Sequence, residues 1–489
     1  MPTFVTMITF ITSIVLLILG FLFYGKFVEK RLFAADPNRV TPAVSHRDGV
    51  DFQPLKPWRI FVIQFLNIAG LGPIFGAILG AAYGPLAYVW IVVGCIFMGA
   101  VHDFFAGMIS LRSNGRGAPS IIGMYLGKGI KILMQVFVAV LLIGIGCSFV
   151  TGPADLLNTL APVSKLFWVI IIFVYYILAT LVPIDKIIGR IYPYLGAVLL
   201  FMAVAVGCAL IVKGLGGSIQ LTELTFDNFR NFHSNPDKFI LFPMLFIVIS
   251  CGAISGFHST QSPIMARCLP NEKYGRPVFY GAMICEGIVA AIWATTAMAY
   301  TDGPEGLNAA AAAGNTPAIL VNAICKDWLG KVGAVVALLG VIACPITSGD
   351  TAFRSLRLIV ADAFHIGQKP ILNRIGIAFP MFAIAVLVCT FDFSTIWNYV
   401  GISNQVLASI VLWTATRYLY KHGKNPLFTG IPATFLTYVC VCYFMVAPGK
   451  AGGLSLPVTT GHIVAAVATI AVVALFSTGN KKLKRRPSK

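Results

Sequence analysis

The chain has 489 residues, of which 58% are hydrophobic and 11% are charged, whereas about 25% of the residues of an ordinary soluble domain are charged. This composition predicts an integral membrane protein and excludes a large soluble domain. The net charge of +18 calls for no nucleic-acid partner, because basic loops that orient membrane helices account for it. The sequence contains no GxxxxGK[ST] motif, so ATP-driven action by this chain is not expected.

Apolar segments long enough to cross a bilayer, which takes about 20 residues, recur along the chain. Most of the 36 Lys and Arg residues lie in loops on one side of these segments, which predicts an outer N-terminus and a cytoplasmic C-terminus. The first segment has no basic start and no cleavage site, so a retained span is expected and not a signal peptide. The thirteen predicted spans are 4–24, 60–83, 86–111, 131–151, 165–184, 192–213, 238–262, 276–300, 332–350, 371–391, 395–416, 427–447 and 459–477.

The second span is interrupted near its centre. Phe61–Gly84 reads FVIQFLNIAGLGPIFGAILGAAYG, with Gly70, Gly72 and Pro73 close together. Proline removes an amide donor but suits the first position of a helix, so two half-helices with an unwound hinge are predicted. Such a backbone is tolerated at membrane depth only when it is buried in protein or lines a wet cavity, and it is typical of transporter binding sites. A kinked helix with packed glycines is the alternative.

The seventh span carries a second interruption. Phe239–Pro263 changes at Ser250 from an apolar half to a polar one that contains Gly252 and Gly256. Five spans begin with each broken span, which predicts two five-helix units of inverted topology, and the half-helix ends favour an anionic group. The predicted division is 1–59 (first span and basic loop), 60–213 (first repeat), 214–417 (second repeat) and 418–489 (two further spans and basic tail).

Three motifs resemble those of a known family. The runs NIAGLGPIFGAILGAAYGPLAYVWIVVGCIFMGAVHDFFAGMISLRSNGRG, SGFHSTQS and PITSGDTAFRSLR resemble the carbon starvation protein A family, over roughly residues 61–400. The resemblance implies an all-α, LeuT-like (APC-type) core in the bacterial cytoplasmic membrane that carries peptides or, in some members, pyruvate during starvation. Only two spans follow the ten-span core, so a function of a longer C-terminal region is not carried over.

Polar residues and glycines at the two breaks and in the eleventh span are the predicted substrate contacts. The alternative for these residues is that they satisfy the loose backbone of the hinges or hydrogen-bond neighbouring helices. The predicted contacts are Gln64, Asn67, Gly70, Gly72, Gly256, His258, Ser259, Gln261 and Asn404.

Ionisable residues at membrane depth are the predicted proton-coupling groups. Glu286 lies near the centre of the eighth span, where a carboxyl group is costly and usually functional. His102 and Asp103 lie in the third span; they predict a proton relay, a gate contact with Arg112 or Arg116, or a cap for the following loop. With His258 these residues would form a metal site only if they converge.

Hydroxyl groups in the ninth span predict a competing cation site. Thr347, Ser348 and Asp350 follow Pro345, and oxygen ligands suit a small hard cation. The matching helix of LeuT-like transporters carries a sodium site, so the resemblance makes Na⁺ the alternative to H⁺. Helix capping around Pro345 is the structural alternative.

Together these features predict a secondary active transporter that imports a small carboxylate-bearing nutrient by alternating access, coupled to H⁺, with no catalytic residue and no cofactor. The resemblance makes peptides the first expected substrate and pyruvate/cation symport the second. A membrane enzyme and a nutrient sensor that does not transport are the competing classes. The expected partners are the small-molecule substrate and the lipid bilayer, and the oligomeric state stays open. The external segment Thr301–Lys331 predicts a surface helix or a lid.

Overall fold

The computed structural model describes residues 7–160, 163–181, 190–391 and 393–484. Within these ranges all regular structure is helical, as the composition predicts. The end of the fifth predicted span and the last residues of the basic tail lie outside the described residues.

The helices follow the predicted apolar segments, and short helical turns at Pro42–Ser45 and Gly449–Ala451 lie in loops. The helices are α1 (Ile8–Phe33), α2 (Pro57–Ile68), α3 (Gly72–Ala81), α4 (Leu86–Arg112), α5 (Ala118–Leu126), α6 (Lys128–Leu160), α7 (Lys165–Leu181), α8 (Tyr192–Leu215), α9 (Leu241–Val248), α10 (His258–Ala266), α11 (Glu272–Tyr300), α12 (Pro304–Ala312), α13 (Pro317–Ala363), α14 (Ile371–Val388), α15 (Phe393–Lys421), α16 (Leu427–Val446) and α17 (Val458–Lys484).

In the described ranges, nine helices are long and apolar enough to cross a membrane, or ten if α2 and α3 form one span bent by 55°. Helices also cover the other predicted segments, namely α7, the pair α9 and α10, and α15, but these do not meet the same measure of length and hydropathy. The structure therefore supports a multi-pass membrane protein, while the total of thirteen spans and the inverted 5+5 core stay predictions.

Both predicted interruptions are present. Helix α2 ends at Ile68, and α3 begins at Gly72 with Pro73 in its first turn, where the missing amide hydrogen of proline costs nothing. Helix α9 ends at Val248 and α10 begins at His258. The chain between them is not helical, so its backbone groups need partners from elsewhere.

The helices differ in how far neighbouring helices cover them. The apolar windows of α11 and α4 are 89% and 83% buried, whereas that of α17 is 17% buried. Helix α11 packs against α2, α3 and α4, and α13 packs against α6 and α8. Helices α4 and α11 thus form the centre, beside the broken helices, and α17 lies at the periphery, where its apolar surface suits lipid.

The two faces of the helix bundle carry different loops. The face at which α1 ends and α2 begins holds the loop 34–56 and is called the basic face here. The opposite face holds the loop 216–240 and α12. On that face the side-chain amide of Asn308 in α12 donates to the carbonyl oxygens of Ala82 (2.8 Å) and Phe232 (3.0 Å). Helix α12 therefore packs over the end of α3 and confirms the predicted surface helix.

Candidate functional site between the broken helices

The two breaks lie directly against each other. A Cβ atom added at Gly72 would lie 2.1 Å from Cβ of Cys251, and one added at Gly256 would lie 2.3 Å from the carbonyl oxygen of Asn404. Non-bonded carbon atoms do not approach so closely, since their optimal separation is about 3.5–4.0 Å. Glycine at these positions therefore lets the backbone of each hinge meet its neighbour.

Helix α15 supplies partners for the second break. Asn404 accepts a hydrogen bond from the amide of Phe257 (2.5 Å), donates to Oγ of Ser255 (2.8 Å), and accepts at its carbonyl from the amide of Gly256 (3.2 Å). The side-chain amide of Gln405 donates to the carbonyl of Phe246 (3.0 Å). Asn404, a predicted substrate contact, thus already satisfies hinge backbone, which is the alternative that the sequence left open.

A cavity lies between the two breaks. Three of the predicted substrate-contact residues line it: Gly70, Gly72 and Asn404. Among the described residues that line it, none is charged, and aromatic rings form part of its wall. The lining residues are Ile68, Gly70, Gly72, Ile145, Ser148, Phe149, Ser250, Cys251, Phe257, Trp397, Val400, Gly401 and Asn404.

A second cavity continues from the first toward the face that holds the loop 216–240. The two cavities share Ser250, Trp397 and Gly401, and His233 of that loop lines the second. The rings of Phe149 and Phe257, which also line the first cavity, meet with centroids 6.0 Å apart. The two cavities are therefore neighbours, and the second one lies toward the face opposite the basic one.

A chain of buried ionisable side chains runs beside the cavity. Nδ1 of His102 and Nδ1 of His258 each lie 2.8 Å from a different oxygen of Asp103. Because an ionised carboxylate only accepts hydrogen bonds, both imidazoles donate to it. Nε2 of His258 then faces Glu286, whose nearer oxygen lies 3.4 Å away. All four residues are 0% exposed, and Glu286 also lies beside the amide of Gly252 in the second break.

This arrangement corrects two expectations for the third span. His102 and Asp103 do not cap the loop that follows, because both are completely buried and Asp103 pairs across to α10. The arginine near the span end, Arg112, does not contact them either. It donates instead to Glu272 at 2.8 Å and to the hydroxyl of Tyr418 at 2.9 Å. The relay interpretation is the one that agrees with these contacts.

The predicted four-residue metal set converges only in part. Asp103 uses both oxygens on the two histidines. The group whose ligand atoms all lie within 4.8 Å of one another is Cys251, His258 and Glu286. A thiolate, an imidazole nitrogen and a carboxylate could hold a transition-metal ion such as Zn²⁺, with Asp103 orienting the imidazole.

The predicted cation ligands in α13 point in different directions. Ser348 donates to the carbonyl of Leu66 at the end of α2 (3.1 Å), and Thr347 donates to the carbonyl of Ala343 in its own helix (2.9 Å). Asp350 accepts a hydrogen bond from Tyr192 in α8. The three side chains therefore do not form one set of cation ligands in this conformation.

The remaining predicted substrate contacts lie outside the cavity lining. The side-chain amide of Gln64 donates weakly to Ser262 in α10 (3.4 Å), and Ser259 donates to the carbonyl of Gly256 (2.7 Å). Gln261 donates to its neighbour Thr260 (2.9 Å). Both polar side-chain atoms of Asn67 are buried, and neither has a hydrogen-bond partner among the described residues.

Sequence reasoning missed part of the cavity wall. Ser148 and Phe149 come from α6, and Trp397 comes from α15. Each lies in an ordinary apolar segment without a helix break, so no local signal marks it. Only the packing of α6 and α15 against the broken helices reveals these residues.

Two interrupted helices that meet around a cavity, in a multi-pass membrane protein whose described residues form only helices, are an arrangement found in membrane transport proteins. A crystal structure of a mutant manganese transporter of Eremococcus coleocola has a TM-score of 0.54 at 13% identity, covering 89% of this chain and 95% of that one. At this identity the likeness shows a shared fold.

The sequence comparisons define the family. Residues 5–152 and 136–333 match the family model Carbon starvation protein CstA. An uncharacterized membrane protein of Haemophilus influenzae is 43% identical over 354 residues, covering 63% of this chain and 95% of that protein. The chain therefore belongs to the carbon starvation protein CstA family.

Named relatives are more distant. The peptide transporter CstA of Campylobacter jejuni is 27% identical over 599 residues, covering 97% of this chain and 84% of that protein. The pyruvate/proton symporter BtsT of Escherichia coli is 25% identical over 448 residues, covering 77% and 60% respectively. Both relatives are named as transporters.

Proposed function

We propose that this protein is a secondary active transporter of the bacterial cytoplasmic membrane that imports a small carboxylate and uses protons as the coupling ion. The observation that carries the proposal is the buried chain from Asp103 through His258 to Glu286, which lies beside the cavity where both helix breaks meet. In this proposal the core is LeuT-like, with two inverted five-helix units, and the basic face is cytoplasmic.

The cavity supports a small substrate with one negative charge. Its described lining has no charged side chain, so a carboxylate would be bound by the positive dipole end of α3, which begins at Gly72 in the cavity wall. The aromatic rings of Phe149 and Trp397 suit a small apolar group. A 2-oxo acid of the size of pyruvate meets these requirements. Peptides are the second candidate, because several relatives are named peptide transporters.

The proton would bind between His258 and Glu286. Nδ1 of His258 donates to Asp103, so Nε2 presents its lone pair to the carboxyl group of Glu286. A proton added there neutralises the buried pair, and its release leaves a charge that is costly at this depth. Because Glu286 lies beside the amide of Gly252 in the second break, protonation changes the charge at the hinge where substrate binds.

Alternating access requires that the site opens to one face of the membrane at a time, and the surroundings of the cavity agree with this. The site joins the cavity that leads away from the basic face, through Ser250 and Trp397. In this proposal the rings of Phe149 and Phe257, which belong to the cavity wall, close the path toward the basic face. We interpret this conformation as open to the outside, with release requiring rearrangement of α2, α10 and α13.

Uptake into liposomes tests the proposal. The purified protein is reconstituted, and labelled pyruvate or a labelled dipeptide is offered while pH and sodium gradients are imposed separately. Pyruvate is expected to accumulate when the outside is acidic, and replacing sodium by choline is expected to leave this accumulation unchanged. Accumulation that requires sodium would reject proton coupling. Binding without any uptake would identify a sensor, and a chemically changed product would identify an enzyme.

A further inference from the structure

A second buried charged cluster lies at the basic face, away from the cavity. Arg354 and Arg357, one turn apart on α13, are both 0% exposed. Asp51, in the loop before α2, lies 3.8 Å from Nη1 of Arg354 and 3.7 Å from Nη2 of Arg357. Both distances exceed the length of a charge-assisted hydrogen bond, which is about 2.7–2.9 Å. The carboxylate thus lies against the two guanidinium groups without a direct hydrogen bond to these two nitrogens.

Arg357 presents an open edge to this carboxylate. Its Nη1 donates to Gln368, whereas Nε and Nη2 are buried and have no hydrogen-bond partner among the described residues. These two groups are the pair that binds the two oxygens of a carboxylate side by side. A buried guanidinium whose donors are not satisfied is costly, so this edge is suited to a carboxylate that approaches more closely than Asp51 does.

The loop that carries Asp51 connects the helices of the proposed transport route. The amide of Leu55 donates to the carbonyl of Cys268, just after α10 (3.2 Å), and the same loop leads into α2 at Pro57. On α13, Ser355 donates to the carbonyl of Thr260 in α10 (2.9 Å). The loop that carries Asp51 therefore connects α2, α10 and α13 at the basic face, so these helices are held together where release would occur.

We propose that the Nε–Nη2 edge of Arg357 is a second carboxylate-binding site on the release route, which Asp51 screens in this conformation. The carboxylate of the substrate replaces Asp51 there and loosens the loop before α2. This inference rests on the proposed function for the chemical class of the ligand.

The native Cys268 reports on the loop. It is 0% exposed and lies under Leu55, so a membrane-impermeant maleimide reacts with it only when the loop lifts. In the purified full-length protein, pyruvate is expected to raise the labelling rate several-fold, whereas uncharged pyruvamide leaves it unchanged. Cys268→Ser identifies the labelled thiol.

Three variants and one control test the ion pair. Asp51→Asn is expected to raise labelling without pyruvate by roughly tenfold, because the ion pairs of Asp51 with Arg354 and Arg357, which hold the loop, are lost. Asp36→Asn, which removes an exposed carboxylate from the same loop, is the matched control and should behave as wild type. Arg357→Gln is expected to abolish the response to pyruvate, and Arg357→Lys, which keeps the charge but loses the fork, to weaken it. An unchanged basal rate in Asp51→Asn, or a full pyruvate response in Arg357→Gln, overturns the proposal.

Transport separates this inference from the proposed function. In liposomes, Arg357→Gln is expected to raise the KM for pyruvate offered from the basic face, with the KM from the opposite face within about twofold of wild type, because the site lies on one side only. If wild type carries no carboxylate, the proposed function fails. If wild type transports pyruvate and Arg357→Gln leaves both KM values unchanged, the second site fails and the proposed function stands.

Discussion

Asp103 organises the buried ionisable residues through two hydrogen bonds. It accepts one from His102 and one from His258, each at 2.8 Å. These hydrogen bonds offset the desolvation cost of a fully buried carboxylate. Of the two histidines, only His258 also faces Glu286. The two imidazoles therefore have different roles, although both contact the same side chain.

Substitution of each histidine tests this difference. His258→Asn is expected to lose proton-driven accumulation, because the link from Asp103 to Glu286 is broken. His102→Asn is expected to lower it by less than roughly threefold, since one hydrogen bond outside that link is lost. Concentrative uptake at several external pH values measures both. Equal losses would show that His102 belongs to the relay.

Glu286→Gln tests the proposed proton-binding group itself. The amide keeps the shape of the side chain but does not bind a proton near neutral pH. Proton-driven accumulation is therefore expected to disappear, while exchange of internal for external substrate continues. Counterflow of labelled pyruvate measures exchange without a gradient. Unchanged accumulation would exclude Glu286 as the coupling residue.

Asn404→Ala tests how far the second break depends on α15. The substitution removes the acceptor for the amide of Phe257 and the donor to Ser255. Each buried group left without a partner costs about 1–3 kcal/mol, so the midpoint of thermal unfolding in detergent should fall by several degrees. A midpoint equal to that of wild type would show that other groups satisfy the hinge.

At the scale of elements, the function depends on the close approach of the two breaks. The glycines and the proline between α2 and α3 allow the helix break to be predicted from the sequence. Proline removes a backbone hydrogen bond and glycine removes side-chain bulk in any context. The contact between Gly72 and Cys251 depends on how the two broken helices pack against each other, and the sequence of either segment alone does not predict it. The close contact is possible because Gly72 has no side chain where the side chain of Cys251 packs.

Gly72→Ala is expected to abolish uptake, because the new Cβ would overlap Cβ of Cys251 and overpacking costs about 1–3 kcal/mol. The double variant with Cys251→Gly removes the opposing atom and should restore uptake in part. Gly376→Ala adds a methyl group with no atom within 4 Å and serves as the neutral control. Wild-type uptake by Gly72→Ala alone would mean that the breaks can separate without loss of the site.

At the scale of the whole molecule, the distribution of basic loops sets the proposed orientation. Phe226 in the loop 216–240 is 101% exposed, and Phe364 after α13 at the basic face is 73% exposed. A cysteine replacing Phe226 should react with an impermeant maleimide on intact cells. A cysteine replacing Phe364 should react only after the cells are permeabilised. The reverse pattern would place the N-terminus in the cytoplasm, and wild type supplies the background labelling.

The sequence by itself determined the membrane class, the positions of both helix breaks and the residues that carry charge at depth. These follow from short-range physics: hydropathy, the missing amide of proline and the cost of an unpaired carboxyl group in hydrocarbon. Glu286, His102 and Asp103 could be selected in this way, because an ionisable side chain at membrane depth is costly and usually functional.

Only the tertiary structure decided which of these residues meet. It joined His258 to Asp103 and separated Asp350 from Ser348, and it used Asn404 to satisfy the hinge backbone. It also brought Trp397 to the cavity wall. The physical reason is that helix rotation and crossing are set by side-chain packing between segments distant in the chain, and no local pattern records the direction in which a side chain then points.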